Sequence, residues 1–170
     1  MANDTWRTPP EVFNYFNNIY DFKVDCCASD DNHLCASYIT EREDFLNDYN
    51  GSMLKFEVGG YHFCNPPYSN PLVFVKRAVK LSQYRGVGFA ILLNHDLSTK
   101  VGTLLSGLQC KHIPFFGGRM AFLNENNEPV KGNSKGQIIY VIPPFVENGK
   151  PIYEPIALDY VMNYGKELAA

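Results

Sequence analysis

The chain has 170 residues, of which 45% are hydrophobic, and a formal net charge of −3; this length suffices for one domain with a sizeable core but not for two ordinary domains. No apolar run approaches the roughly 18 residues that a membrane span requires, and the N-terminus lacks a basic region followed by an apolar one, so a membrane or secreted protein is not expected. Five cysteines, an odd number without C-x-x-C spacing, favour reduced thiols and the cytoplasm over a disulfide framework or a zinc site.

The first predicted element is a helix from about Pro9 to Asn18. Thr8 can cap this helix, Glu11 completes a capping box three residues later, and apolar residues recur at helical spacing. The run FKVDCCAS, residues 22–29, predicts a buried strand that delivers Asp25 at its C-terminal end. Residues 29–58 that follow are polar with short apolar patches and show no clear periodicity.

Periodic patterns resume at residue 59. A strand runs into the Asn-Pro-Pro-Tyr turn, a helix follows with Asn70 as its cap, and the apolar run GVGFAILLN, residues 86–94, predicts a central strand covered on both faces. Strand, helix and strand in this order imply parallel pairing with a right-handed crossover. The remaining predictions, in order, are a short helix in 98–108, a strand in 110–116, two strands around a polar loop in 117–144, and a helix in 154–168.

These elements predict an α/β protein with a mostly parallel sheet flanked by helices and an antiparallel edge near the C-terminus. In open sheets of this kind, ligands bind beyond the carboxyl ends of the strands. Asp25 and Asn65 are both predicted at such ends, so we expect them to face one shared crevice.

Charge is distributed unevenly along the chain. Residues 1–60 contain four Lys and Arg against eleven Asp and Glu, whereas residues 61–140 contain nine against three. Because neutralising phosphates is the main sequence-independent source of nucleic-acid affinity, the basic middle segment predicts such a partner, although single side chains could instead belong to solvated helix faces. The candidates for contacts with the nucleic acid are Lys76, Arg77, Lys100, Arg119, Lys131 and Lys135.

The tetrad Asn65-Pro66-Pro67-Tyr68 carries the predicted chemistry. Two consecutive prolines remove two backbone donors and fix two φ angles, so Asn65 and Tyr68 are held on a stiff, extended rim. The Asn65 side-chain carbonyl and the Pro66 backbone carbonyl can each accept one amino hydrogen of a planar group while the Tyr68 ring stacks on it. The nitrogen lone pair is then aimed at an electrophile, as direct methyl transfer from a sulfonium donor requires.

Several segments, in order, resemble the phage and prophage DNA adenine-N6 methyltransferases, small Dam-like enzymes that use S-adenosyl-L-methionine. They are DTWRTPPEVF (4–13), FKVDCCASDDNHLCASYIT (22–40), EDFL (43–46), FCNPPYSNP (63–71), AILLN (90–94), GGRMAF (117–122) and NSKGQIIYV (133–141). The tetrad alone is shared with methyltransferases that act on RNA adenine and on protein glutamine. Its combination with the Trp-x-Thr-Pro-Pro start and the Gly-Arg-x-x-Phe segment is more specific.

The resemblance implies a Rossmann-like class I methyltransferase fold in a single domain over residues 1–170. It assigns Asn65, Pro66, Pro67 and Tyr68 to the target adenine. It also implies that Thr8 and Pro9 contact the methionine end of the cofactor and that Asp25 lies near its amino group. The pair Asp44 and Phe45 is implied to bind the adenine of the cofactor. The cofactor-binding residues so implied are Thr8, Pro9, Asp25, Cys27, Asp44 and Phe45.

Double-stranded DNA is the implied substrate, and its target base must flip out of the duplex to be reached. Target recognition is expected from short inserts at 95–103 and 124–135, and the implied setting is the host cytoplasm, with protection of phage DNA from restriction as the role. The oligomeric state stays open between monomer and homodimer. The alternatives are an RNA-adenine or protein-glutamine methyltransferase, or a degenerate methyltransferase fold that serves as a DNA-binding module.

Overall fold

The computed structural model describes residues 4–48 and 52–169. The helices are α1 (Pro10–Tyr20), α2 (Pro71–Arg85), α3 (Lys100–Leu105) and α4 (Leu158–Glu167), and a short 3-10 turn spans Ser52–Lys55. The strands are β1 (Val24–Ala28), β2 (Ser37–Thr40), β3 (Tyr61–Cys64), β4 (Gly88–Asn94), β5 (Lys111–Phe116), β6 (Gln137–Ile142), β7 (Ile152–Tyr153) and β8 (Ile156–Ala157).

The strands form one sheet in the order β2-β1-β3-β4-β6-β5-β7, with β8 paired to β5. Strands β2, β1, β3 and β4 pair in parallel, which confirms the predicted mostly parallel α/β architecture. The predicted antiparallel edge is wrong in its position, because the antiparallel strand is β6 and it lies inside the sheet between β4 and β5. Residues 117–136 connect β5 to β6 at one end of the sheet, so β6 runs antiparallel to β5. Because β4 has the same direction as β5, β6 is antiparallel to β4 as well.

The chain changes direction across the sheet between β1 and β3. It moves outward from β1 to β2, then returns past β1 to place β3 on the other side. Ligand crevices in open α/β sheets occur at such a switch point, beyond the carboxyl ends of the strands. Asp25 of β1 is level with Phe63 of β3, two residues before Asn65. Asp25 and Asn65 therefore lie on neighbouring strands.

The sheet separates two apolar layers. Strand β4 alternates between them: Phe89, Ile91 and Leu93 pack on the side of α2, while Ala90 and Leu92 pack on the side of α1 and α4. The continuous apolar run is thus covered on both faces, as predicted. On the α1 side, α4 approaches so closely that a Cβ on Gly165 would lie 1.9 Å from the Glu11 carbonyl oxygen.

Four local predictions are wrong. The N-cap of α1 is Pro9 without a side-chain capping hydrogen bond, so Thr8 does not cap this helix and Glu11 completes no capping box. By contrast, Asn70 is the N-cap residue of α2, as predicted, although its side chain makes no capping hydrogen bond. Asp25 is the second residue of β1 rather than its last, because the small residues after it continue the ladder to the Ala28–Thr40 pair. Residues 117–136 contain isolated bridges instead of a first strand.

Candidate active site

Asn65 follows β3 directly, where the chain leaves the sheet. Its side-chain oxygen Oδ1 is buried and has no hydrogen-bond partner in the part of the chain that the structure describes. Leaving a buried acceptor unpaired costs about 1–3 kcal/mol, and such exceptions in folded proteins call for a functional explanation. Asn65 also lines a cavity of about 10 Å³. The oxygen is therefore placed to accept a hydrogen bond from a bound group.

Aromatic rings surround this cavity. Its lining consists of Asp4, Trp6, Asn65, Pro66, Tyr68 and Phe122. The Phe122 ring packs edge-on against Tyr68 with ring centroids 5.8 Å apart, and it contacts Trp6 at 5.5 Å. Aromatic faces beside a hydrogen-bond acceptor are suited to holding a planar ring that carries an amino group. We call this cavity the base pocket.

Tyr68 serves the base pocket through its ring and not through its hydroxyl. The hydroxyl donates to the Leu92 carbonyl oxygen at 3.3 Å. Burial, together with the nearby Cys64 thiol, raises the pKa of Tyr68 well above its usual range. The phenol therefore stays neutral and does not exchange protons near neutral pH.

Asp25 is a buried carboxylate, with 4% of the residue exposed. Burial raises its pKa to about 6, although the carboxylate accepts hydrogen bonds from the backbone N–H groups of Leu34, at 3.0 Å, and Cys27. A charge held in so poorly solvated a position is stabilised by any cation that binds beside it. Asp25 thus combines a structural bond to the loop after β1 with the capacity to pair with a positively charged ligand.

Cys27 lies next to Cys64, with 3.6 Å between the two sulfur atoms. The hydrogen bond between the two thiols, followed by burial, raises the pKa of Cys27 well above its usual range, and burial raises that of Cys64. Both thiols are neutral at physiological pH, and a neutral thiol is a poor nucleophile. Neither thiol is therefore activated as a nucleophile.

The other residues predicted to bind the cofactor occupy two places. Thr8 and Pro9 are buried immediately before α1. Asp44 has a left-handed backbone, with φ 55°, and its carboxylate accepts from the Leu46 N–H at 3.0 Å. Phe45 is 3% exposed and packs among Phe56, Phe74 and Phe89, so its described contacts are those of a core residue. The predicted cofactor contacts of these residues stay predictions.

A large open groove of about 1140 Å³ runs along the edge strand β2 and past the carboxyl ends of β1 and β2. The segments that follow these strands form much of its lining, which comprises Ala28, Ser29, Asp30, Ala36, Ser37, Tyr38, Thr40, Glu41, Arg42, Glu43 and Lys55. Cys27 and Asp44 flank these segments in sequence. We call this cavity the strand-end groove; its size suits a nucleoside-type ligand, and its carboxylates suit a cationic one.

Arg77 does not belong to the predicted basic surface, and that prediction is wrong. The residue is 8% exposed, its guanidinium pairs with the Asp48 carboxylate at 2.5 Å, and its Nε donates to the Phe45 carbonyl at 3.3 Å. The partners of Arg77 all belong to segments 45–48 and 52–55, so these segments cover the guanidinium. A buried and paired guanidinium is not available to a phosphate.

The other basic candidates are exposed: Lys76, Lys100, Arg119, Lys131 and Lys135. Asn94 at the end of β4 pairs with Gln137 at the start of β6, so segments 95–100 and 117–136 emerge at the carboxyl edge of β4. Asn65 lies at this edge too, because β3 and β4 are parallel. Within the predicted insert 95–103, Val101 and Gly102 are buried in α3, so only its first half forms an exposed loop.

The sequence interpretation missed the base-pocket roles of Asp4, Trp6 and Phe122. Trp6 and Phe122 belong to the two segments that made the family resemblance specific, the Trp-x-Thr-Pro-Pro start and the Gly-Arg-x-x-Phe run. The places of Trp6 and Phe122 in these two motifs were the available signal. No helix in the described ranges is long and apolar enough to cross a bilayer. Within the same ranges, no group of three or more His, Cys, Asp or Glu residues is arranged to hold a metal ion.

A mostly parallel sheet flanked by helices, with an asparagine-centred pocket beside its switch point, agrees with the methyltransferase fold expected from the sequence. The sequence model of the family described as DNA N-6-adenine-methyltransferase (Dam) matches residues 1–168, and the chain belongs to this family. The family expected from the sequence is confirmed, and with it the enzyme class, the DNA adenine-N6 methyltransferases.

Two curated relatives bear the same description. The DNA N-6-adenine-methyltransferase of Haemophilus phage HP1 is 32% identical over 145 residues, which cover 83% of this chain and 79% of the relative. That of Escherichia phage T1 is 28% identical over 157 residues, which cover 83% of this chain and 63% of the relative. No solved structure matches the chain with significance.

Proposed function

We propose that this protein transfers a methyl group from S-adenosyl-L-methionine to the N6 amino group of an adenine flipped out of double-stranded DNA. The observation that carries the proposal is the buried, unpartnered Oδ1 of Asn65 in a pocket lined by aromatic rings. Adenine has both features that this pocket accommodates, a planar ring and an exocyclic amino group. The relatives are named for methylation of the same nitrogen.

In this mechanism the chain acts by holding the amino group. Asn65 Oδ1 accepts one amino hydrogen, and the Pro66 carbonyl oxygen accepts the other. Both bonds draw the nitrogen lone pair out of conjugation with the ring and fix its direction. When bound, the cofactor would supply a methyl group on a sulfonium, which is electrophilic enough that alignment accounts for much of the rate. The N–C bond would form as the C–S bond breaks, a neutral thioether would leave, and the methylated nitrogen would release one proton to solvent. Neither a cysteine nor a tyrosine needs to ionise, in agreement with the raised pKa values of Cys27, Cys64 and Tyr68.

The strand-end groove and Asp25 are the sites proposed for the cofactor. The donor is cationic at its sulfonium and carries an amino group, and the groove is lined by the carboxylates of Asp30, Glu41 and Glu43 against the cations Arg42 and Lys55. Asp25, with its pKa of about 6, gains a counter-ion when a cation binds beside it. Thr8, Pro9, Cys27, Asp44 and Phe45 complete the proposed set.

DNA is proposed to approach the carboxyl edge of the sheet. The exposed basic residues of segments 95–100 and 117–136 lie along this edge, and phosphate contacts from such residues position a duplex. The base pocket, at about 10 Å³, is far smaller than a purine. The pocket must therefore enlarge when the flipped base enters, and we propose that Trp6 and Phe122 are the walls that move.

Label transfer tests the proposal. Wild-type protein and Asn65→Ala are incubated with methyl-labelled cofactor and, in parallel, with duplex DNA, RNA and total protein. We expect label in DNA adenine alone, with at least a 100-fold lower rate for Asn65→Ala, the range seen when one preorganised hydrogen bond to a reacting group is removed. Asn70→Ala is the matched control, since Asn70 makes no side-chain capping bond and lies outside the pocket. Label in RNA or in protein glutamine would assign the site to another acceptor, and equal rates for wild type and Asn65→Ala would eliminate the site.

A further inference from the structure

Arg7 lies where three segments of the chain meet. Its backbone forms an antiparallel bridge with Leu123, with N–H to O distances of 2.8 and 2.9 Å in the two directions. Its guanidinium donates through Nη2 to Asp31 Oδ2 at 2.7 Å and through Nη1 to Asn127 Oδ1 at 3.2 Å. One side chain thus bonds the turn after β1 and the loop before β6 at the same time.

The two bonded loops lead to the two proposed binding sites. Asp31 belongs to the turn closed by paired backbone bonds between Ser29 and Asn32, and Ser29 and Asp30 of this turn line the strand-end groove. Asn127 belongs to a tight turn in the predicted recognition insert 124–135 and has a left-handed backbone, with φ 61°.

Arg7 is also adjacent to the base pocket. The residue before it is Trp6, and the residue before its partner Leu123 is Phe122; both rings line the pocket. A movement of the Arg7–Leu123 bridge therefore moves two walls of the pocket together.

The guanidinium suits this position because of its shape. Its planar fork presents several N–H donors in fixed directions, so it can hold two acceptors at once, whereas a lysine ammonium acts as a single point charge. The Arg7 side chain is 12% exposed and that of Asp31 is 74% exposed. Ion pairs with so exposed a partner contribute little to folding stability, so loss of this contact should leave the fold intact and can be tested for its effect on binding.

We propose that Arg7 is a positioning residue that couples the two sites, so that cofactor and DNA bind cooperatively. The inference rests on the proposed function. Cofactor in the strand-end groove fixes the turn that carries Asp31. Through its hydrogen bonds to Asp31 and Asn127 and its bridge to Leu123, Arg7 then also restricts the recognition insert and the Trp6–Phe122 walls. By linkage, DNA raises cofactor affinity by the same factor.

The test measures this factor. The dissociation constant for a duplex is determined with and without S-adenosylhomocysteine, which fills the cofactor site without methyl transfer, for wild type, Arg7→Lys, Asp31→Asn and Asn127→Gly. Lysine keeps the positive charge, so attraction to phosphate is retained, and glycine tolerates the left-handed backbone of position 127. Lys23→Gln, which breaks the exposed pair with Asp21, is the control.

We expect S-adenosylhomocysteine to tighten DNA binding by about tenfold in wild type and Lys23→Gln, within the usual range for coupled sites. Arg7→Lys is expected to bring the ratio close to one, and Asp31→Asn and Asn127→Gly, which each remove one of the two bonds of Arg7, are expected to lower it as well. Double variants that combine Arg7→Lys with either of them are expected to show the same ratio as Arg7→Lys alone. Trp6 is the only tryptophan of the chain, so its fluorescence reports on this junction. The emission change on adding S-adenosylhomocysteine should shrink in Arg7→Lys at saturating ligand.

The outcomes separate the two proposals. A wild-type protein that neither binds S-adenosylhomocysteine nor transfers methyl groups overturns the proposed function and this inference with it. A wild-type protein that methylates DNA without cooperative binding, or an Arg7→Lys variant that keeps the wild-type ratio, overturns the inference alone.

Discussion

The charge on Asp25 should govern both stability and cofactor binding, and the substitution Asp25→Asn isolates it. Burial raises the pKa of this carboxyl from 3.8 to about 6, a shift of about two units, which corresponds to roughly 3 kcal/mol at 1.36 kcal/mol per unit. Because the pKa of Asp25 is higher in the folded than in the unfolded protein, its contribution to the free energy of unfolding is fully present below about pH 4. This contribution is lost as the pH rises through 6. Asparagine can still accept from the Leu34 N–H but carries no charge.

The assay is urea unfolding of wild type and Asp25→Asn between pH 4 and pH 8. The free energy of unfolding of wild type should fall relative to that of Asp25→Asn by roughly 3 kcal/mol across this range, since other titrating groups cancel in the difference. Calorimetry should also show cofactor affinity falling below about pH 6 in wild type, where the carboxyl takes up a proton, and not in Asp25→Asn. A difference in unfolding free energy that stays constant with pH would refute the reasoning about burial.

Three further substitutions test the remaining assignments. Arg77→Met should lower the free energy of unfolding by about 1–3 kcal/mol, because the Phe45 carbonyl loses its donor. It should leave the salt dependence of DNA binding unchanged. Unchanged stability together with a weaker salt dependence would show that Arg77 contacts DNA. Lys135→Gln should do the opposite, reducing the slope of log affinity against log salt by about one, and an unchanged slope would remove Lys135 from the phosphate contacts. Gly165→Ala should lower the free energy of unfolding by about 1–3 kcal/mol through overpacking against the Glu11 carbonyl. On an exposed helix face the same substitution stabilises the helix. An unchanged melting temperature would contradict the close approach of α4 to α1.

Patterns that local sequence carries were predicted well. The run from Gly86 to Asn94 is apolar at nearly every position, and only a strand covered on both faces suits it. The diproline tetrad was read correctly as the exit from a strand because proline restricts the backbone through its own ring. The helix predicted after the cap residue Asn70 likewise followed from its periodicity, and α2 spans Pro71–Arg85.

Features that depend on distant contacts were missed. The interior position of β6 depends on its pairing with both β4 and β5, which no local pattern encodes. Arg77 looks like any cation on an amphipathic helix until Asp48 and the Phe45 carbonyl are brought to it.

The walls of the base pocket show the same limit. Trp6 and Phe122 are 116 positions apart in the sequence, and they meet because the backbone of Arg7 pairs with that of Leu123. Family motifs marked both segments as important. Only the fold shows that their rings share one cavity with Asn65.

The central claim is that Asn65 Oδ1 holds the amino group of the target base. The most direct measurement is single-turnover methylation of duplex DNA by wild type, Asn65→Asp and Asn65→Leu at saturating cofactor. Leucine has a similar size and removes an unpaired buried oxygen, so Asn65→Leu should fold at least as stably as wild type. It should also bind cofactor equally well and yet methylate at least 100-fold more slowly, while Asn65→Asp, which keeps an acceptor, should lose less. A rate for Asn65→Leu within tenfold of wild type would contradict the account.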